Sequence, residues 1–113
     1  MRKLITLFKI VSEVTGIERK DMRRKSRVQE RCDARFIFCD IARERIKMRV
    51  AGKRQHAVTY QCLADFLGGR DHTTIMHACN QAKDLIETDS KFISLYKKVE
   101  YLFMQSMGVT IEL

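Results

Sequence analysis

Leu4, Leu7, Phe8, Val11 and Val14 recur every three or four residues, the spacing that lines one face of an α-helix. Gly16 follows, so the pattern predicts a helix over about 3–15. The next segment, IERKDMRRKSRVQER, has no such period. It reads as a basic loop over about 18–31, with room for one helical turn around Lys20–Arg24. Periodicity returns with Ala34, Ile37, Phe38, Ile41 and Met48, which predicts a long helix at roughly 32–49. AGKRQHA then forms a second basic loop.

Thr59 is a good N-cap for a short helix, YQCLADFL, whose apolar side holds Tyr60, Leu63, Phe66 and Leu67. Gly68-Gly69 stops it, because glycine takes the positive φ that ends helices. Asp71 caps the next helix, with Ile75, Ala78, Cys79, Ala82, Leu85 and Ile86 as its buried stripe. Ser90 is expected to cap a last helix with Phe92, Leu95, Tyr96, Val99, Leu102 and Phe103 inward. The short apolar tail MGVTIEL is left open as a frayed end, an added strand or a docking surface. A chain of 113 residues with no proline and five glycines favours one all-α domain over a sandwich or barrel. The expected organisation is a single domain over 1–113, with a helix-turn-helix at about 59–87 and a C-terminal helix at about 90–106.

Charge narrows the partner. The net charge is +8 and the sequence pI is about 9.6. Residues 1–54 hold 17 basic and 7 acidic side chains, while residues 55–113 hold 5 and 7. Such segregation points to a polyanion, with nucleic acid ahead of an anionic membrane. Cys32, Cys39, Cys62 and Cys79 lack a CxxC pair, and Cys62 and Cys79 fall on apolar helix faces, so buried reduced thiols are expected. With no signal peptide and no long apolar run, the reading is a cytoplasmic, nucleoid-associated protein with no membrane partner.

The unit from Thr59 to Ile86 has the form of a helix-turn-helix, whose second helix enters the major groove by its N-terminal end. Asp71, His72, Thr73 and Thr74 occupy that end, and the buried stripe begins only at Ile75. Backbone amides there attract phosphate. Threonine offers a hydroxyl and a methyl for thymine, and aspartate accepts from a cytosine amino group. A plain capping role for Asp71 is compatible with this. His72 and His77 stand five apart, off the spacing of a helical zinc pair, and Cys79 lies on the buried stripe. No metal, cofactor or catalytic residue is expected, and the protein is not read as an enzyme.

The same stretch, GGRDHTTIMHAC, closely resembles GGRDHTTVLHAC in the C-terminal DNA-binding domain of the bacterial replication initiator DnaA. TYQCLADFL resembles that family's SYPEIGRAF, and KSRVQERCDARFIFCDIARE is similar to its KSRSREIVRPRQIAMYLARE. The similarity spans roughly residues 3–103, and the chain is read as a stand-alone copy of that domain. The resemblance implies a helix-turn-helix fold of the DnaA domain IV and Trp-repressor-like type, binding DnaA boxes in duplex DNA. It puts Arg27 at a minor-groove arginine and Asp71, His72, Thr73 and Thr74 at the major groove. Lys25, Arg35 and Arg43 match basic positions along the DNA backbone, and Thr59 and Arg70 are taken as further phosphate contacts.

The departures bear on box preference. The family's RPRQ is Asp33-Ala34-Arg35-Phe36 here, Gln29 replaces a loop arginine, and Asn80-Gln81 stands where basic residues are frequent. The segment between Arg43 and Thr59 is about ten residues longer and itself basic. No GxxxxGK[ST] loop is present, so ATP hydrolysis is not expected. The leading reading is a monomeric or weakly dimeric, sequence-specific duplex-DNA-binding protein that regulates replication initiation or transcription. The rival is a protein-interaction module of the same fold that has lost base reading and binds replication proteins. Asp33, Phe36, Asn80 and the tail motivate it.

Overall fold

The computed structural model describes residues 2–24, 27–48 and 56–108, without the side chain of Met48. The elements in order are α1 (Arg2–Thr15), α2 (Arg19–Arg23), α3 (Gln29–Arg45), β1 (Lys47–Met48), β2 (His56–Ala57), α4 (Tyr60–Phe66), α5 (His72–Thr88) and α6 (Ser90–Ser106). The all-α expectation is met apart from one short ribbon. Lys25, residues 49–55 of the basic insertion and the tail from residue 109 lie outside the described residues, as does the Met48 side chain expected on the long helix.

α3 is the central element, packed against α1, α2, α5 and α6. That is why its buried set, Ala34, Ile37, Phe38, Cys39, Ile41 and Ala42, covers more than one stripe. α1 buries Leu4, Leu7, Phe8 and Val11, and α6 buries Phe92, Tyr96, Val99 and Phe103. Phe8, Phe38 and Phe66 form an aromatic cluster with centroids 5.1–5.5 Å apart. This cluster fastens α4, the first helix of the helix-turn-helix, to α1 and α3. The Arg23 guanidinium covers the rings of Phe8 and Phe66 at 4.9 and 5.3 Å.

Two helix boundaries differ from the sequence expectation. α3 begins at Gln29, whose side chain donates to Asp33 Oδ1 at 2.6 Å. The residues of this added turn are polar, so apolar periodicity carried no sign of it. At its other end α3 stops at Arg45, because Ile46 turns extended and its carbonyl accepts from Val58 N at 3.1 Å. β1 and β2 then pair antiparallel, Lys47 with Ala57 and Met48 with His56. Ile46 and Val58 bury their β-branched side chains at the base of this ribbon.

The cap of α6 is also reassigned. Asp89, not Ser90, accepts from the amides of Lys91 and Phe92 at 3.0 and 3.1 Å. Asp40 on α3, only 2% exposed, accepts from Tyr96 Oη at 2.6 Å and from Lys83 Nζ at 3.0 Å. These contacts tie α3, α5 and α6 together around one buried carboxylate. All four cysteines are free thiols. Cys39 and Cys79 are buried, whereas Cys62, expected inside, is half-buried. Burial, with the Asp40 charge second, pushes the Cys79 thiol up to about 11.

Candidate nucleic-acid interface

The turn between α4 and α5 is set by two glycines, Gly68 at φ +94° and Gly69 at φ +81°. The amides of Gly69 and Arg70 both donate to Ala64 O at 3.0 Å, closing α4. Asp71, in extended geometry, then caps α5: its Oδ1 accepts from Thr73 N at 2.9 Å and from Thr73 Oγ1 at 2.8 Å. His72 Nδ1 lies 3.3 Å from the same oxygen. The amide and hydroxyl of Thr73 hold the Asp71 carboxyl below the usual carboxylate range. The His72 and Asp71 side chains are 56% and 66% exposed, and Thr73 and Thr74 are exposed as well. The opening turn therefore projects away from the core, as the late start of the Ile75 stripe implied.

The basic loop is held against this turn from inside. Arg70 donates through Nη2 to the carbonyls of Arg23 and Arg24 at 2.9 and 2.5 Å. Arg35 Nη1 reaches the same Arg24 carbonyl at 3.0 Å, and Arg23 Nε donates to Phe66 O at 3.3 Å. Arg35, one of the expected phosphate contacts, is turned inward beneath the loop. It is 8% exposed, and its guanidinium faces a backbone carbonyl and Cys32 Sγ, so it works as a strut beneath the loop. Arg70 is half-buried and performs the same task from the turn. Arg43, also half-buried, donates to Val58 O at 2.7 Å and lies 4.1 Å over the Tyr60 ring, bracing the entry to α4. Thr59 stays exposed; its hydroxyl oxygen accepts from Cys62 N at 3.0 Å, which leaves the hydroxyl proton to donate outward.

Arg24 and Arg27 are exposed, and Arg27 shares one groove with Arg70, Thr74 and His77. The loop and the opening of α5 thus face the same side of the protein. Sequence reasoning missed three residues there. Met76, at 41% exposure, and His77 continue the outward face one turn beyond His72 and Thr73, and Val28 is 49% exposed beside Arg27. The i, i+4 relation of His72 to Met76 and of Thr73 to His77 was the available signal.

A family model described as the bacterial DnaA protein helix-turn-helix matches residues 5–82. This match covers α1 through most of α5, including the basic loop and both helices of the motif. The chain belongs to the bacterial DnaA helix-turn-helix family. DNA binding is what membership of that DnaA family carries, and replication initiation is the process with which it is associated. It is a family of DNA-binding rather than enzymatic domains. Among the described residues, no three His, Cys, Asp or Glu side chains group to hold a metal, and no helix is long and apolar enough to cross a membrane.

Proposed function

We propose that this protein binds duplex DNA sequence-specifically in the manner of DnaA-box recognition. The exposed opening turn of α5 on the same side as Arg27 is the observation that carries this reading. In it, His72 and Thr74 meet base edges and phosphates in the major groove, and Arg27 enters the adjacent minor groove. The Thr73 hydroxyl donates to Asp71, so Thr73 presents its methyl and its oxygen lone pairs. Asp71 Oδ2, which has no contact from the described residues, is the acceptor for a cytosine amino group. Arg24, Lys25 and Thr59 take phosphates. Arg35, Arg43 and Arg70 set the position of the loop and of α4. Such a protein acts at chromosomal boxes, in replication initiation or in transcription, as a monomer or weak dimer.

Selection from random duplexes tests this. An enriched motif is expected, and His72→Ala or Thr74→Ala lowers discrimination at single base pairs by about 1–3 kcal/mol. A selection that returns no motif overturns base reading. Of the motives for the protein-interaction alternative, Phe36 is partly buried against the core and lines the groove beside Arg27, Asp33 is half-buried, Asn80 is exposed, and the end of the tail lies outside the described residues.

A further inference from the structure

Between the N-terminal halves of α3 and of α5 lies a groove of about 540 Å³. That volume falls in the range of small-molecule sites. Phe36, Leu67, Ile75 and Ala78 give it an apolar floor, and Arg27, Arg70, Thr74 and His77 give it a polar rim. Among the described residues, no carboxylate lines it. Arg70 is half-buried, forms no ion pair with a described residue, and keeps a buried Nε with no hydrogen-bond partner. Desolvation, then the Arg35 charge nearby, pulls the Arg70 guanidinium down from its ordinary value. A half-buried cation beside an apolar floor, with no counter-ion among the described residues, favours an anionic occupant.

We propose that this groove binds a small organic anion with a flat apolar body, of the aromatic monocarboxylate class. Its carboxylate faces the Arg27–Arg70 rim and its ring covers the Phe36–Ile75 floor. Inorganic phosphate meets the rim alone; an aryl carboxylate matches both the rim and the floor. The consequence for DNA rests on the proposed DNA interface, because Arg27 and Thr74 belong to both. An occupant places a negative charge where phosphates approach, so it weakens duplex binding.

The test uses the full chain with three probes: 1-naphthoate, its neutral amide 1-naphthamide, and inorganic phosphate. Binding is followed by calorimetry and by amide chemical shifts of Thr74, Ile75 and Ala78. Expected is saturable, sub-millimolar binding of 1-naphthoate, at least tenfold tighter than that of either other probe. Arg70→Gln lowers it at least tenfold. Because Arg70 also holds the loop carbonyls, Ala78→Val serves as a second variant, narrowing the floor without touching a cation; it too lowers binding, with helicity unchanged by circular dichroism. Non-saturating shifts, equal binding of the amide or of phosphate, or full binding by Ala78→Val each overturn the site. Saturation with 1-naphthoate should lower duplex affinity at least fivefold. Absent probe binding with intact DNA binding rejects the groove alone, whereas saturable probe binding with no DNA binding at all rejects the DNA interface alone. Probe binding that leaves a measurable duplex affinity unchanged overturns the regulatory consequence.

Discussion

Oδ1 of Asp71 gathers the amide and the hydroxyl of Thr73, and both contacts need the carboxylate to be ionised for full strength. A folded-state value below the unfolded one has a definite sign in pH. The cap's contribution is complete above the ordinary aspartate value of about 3.9 and is lost as pH falls through the lower folded value. A carboxyl carbon-13 titration should therefore place the Asp71 midpoint below that of an unstructured aspartate. In Thr73→Val, which keeps the amide and removes the hydroxyl, the midpoint should move back up partway. An Asp71 midpoint at the unstructured value would remove the cap from the account. At this scale the outward polar cluster was legible, because Ile75 starts the buried stripe and leaves the preceding residues outside. The arginines were not. Arg24 and Arg35 read alike in a basic segment, and only the third dimension sets one in solvent and the other against a carbonyl.

Helices carry a second set of consequences. Gly69 sits at φ +81° with open space where a Cβ would stand, so Gly69→Ala adds backbone strain and no clash. A left-handed conformation costs a non-glycine residue about 1–2 kcal/mol, and urea denaturation should show a loss of that size. Tyr96→Phe removes the hydroxyl that donates to the Asp40 carboxylate at 2.6 Å. A hydrogen bond to a charged group contributes about 1.5–3 kcal/mol, so this variant should lose a similar amount, read from the same denaturation curves. An unchanged stability would mean that Lys83 alone satisfies Asp40. α2 lies in a segment without a period, whereas the existence of α1, α3, α5 and α6 was readable from period. The Asp40 contacts were not, because a polar residue on a central helix is buried only when neighbours close on every side of it, as α5 and α6 do. The β1–β2 ribbon was equally hidden: two residues per strand leave no alternation to detect.

For the whole molecule, part of the charge segregated along the chain lies beside the helix-turn-helix. Arg23, Arg24 and Arg27 stand in the loop that Arg35 and Arg70 hold against the turn. Phosphate neutralisation and base reading should then separate in experiment. The logarithm of the duplex association constant should fall linearly with the logarithm of salt, with a slope of about −0.9 for each phosphate neutralised. Arg24→Ala removes an exposed cation, so it should make the slope shallower by about one phosphate, roughly 0.9, and weaken every sequence alike. His72→Ala should leave the slope unchanged and weaken only the preferred site. Measured together, the two variants locate the functions independently. If Arg24→Ala altered preference while His72→Ala altered the slope, Arg24 would be reading bases and the opening of α5 would be lying along the backbone, the reverse of the roles argued from the exposed opening turn.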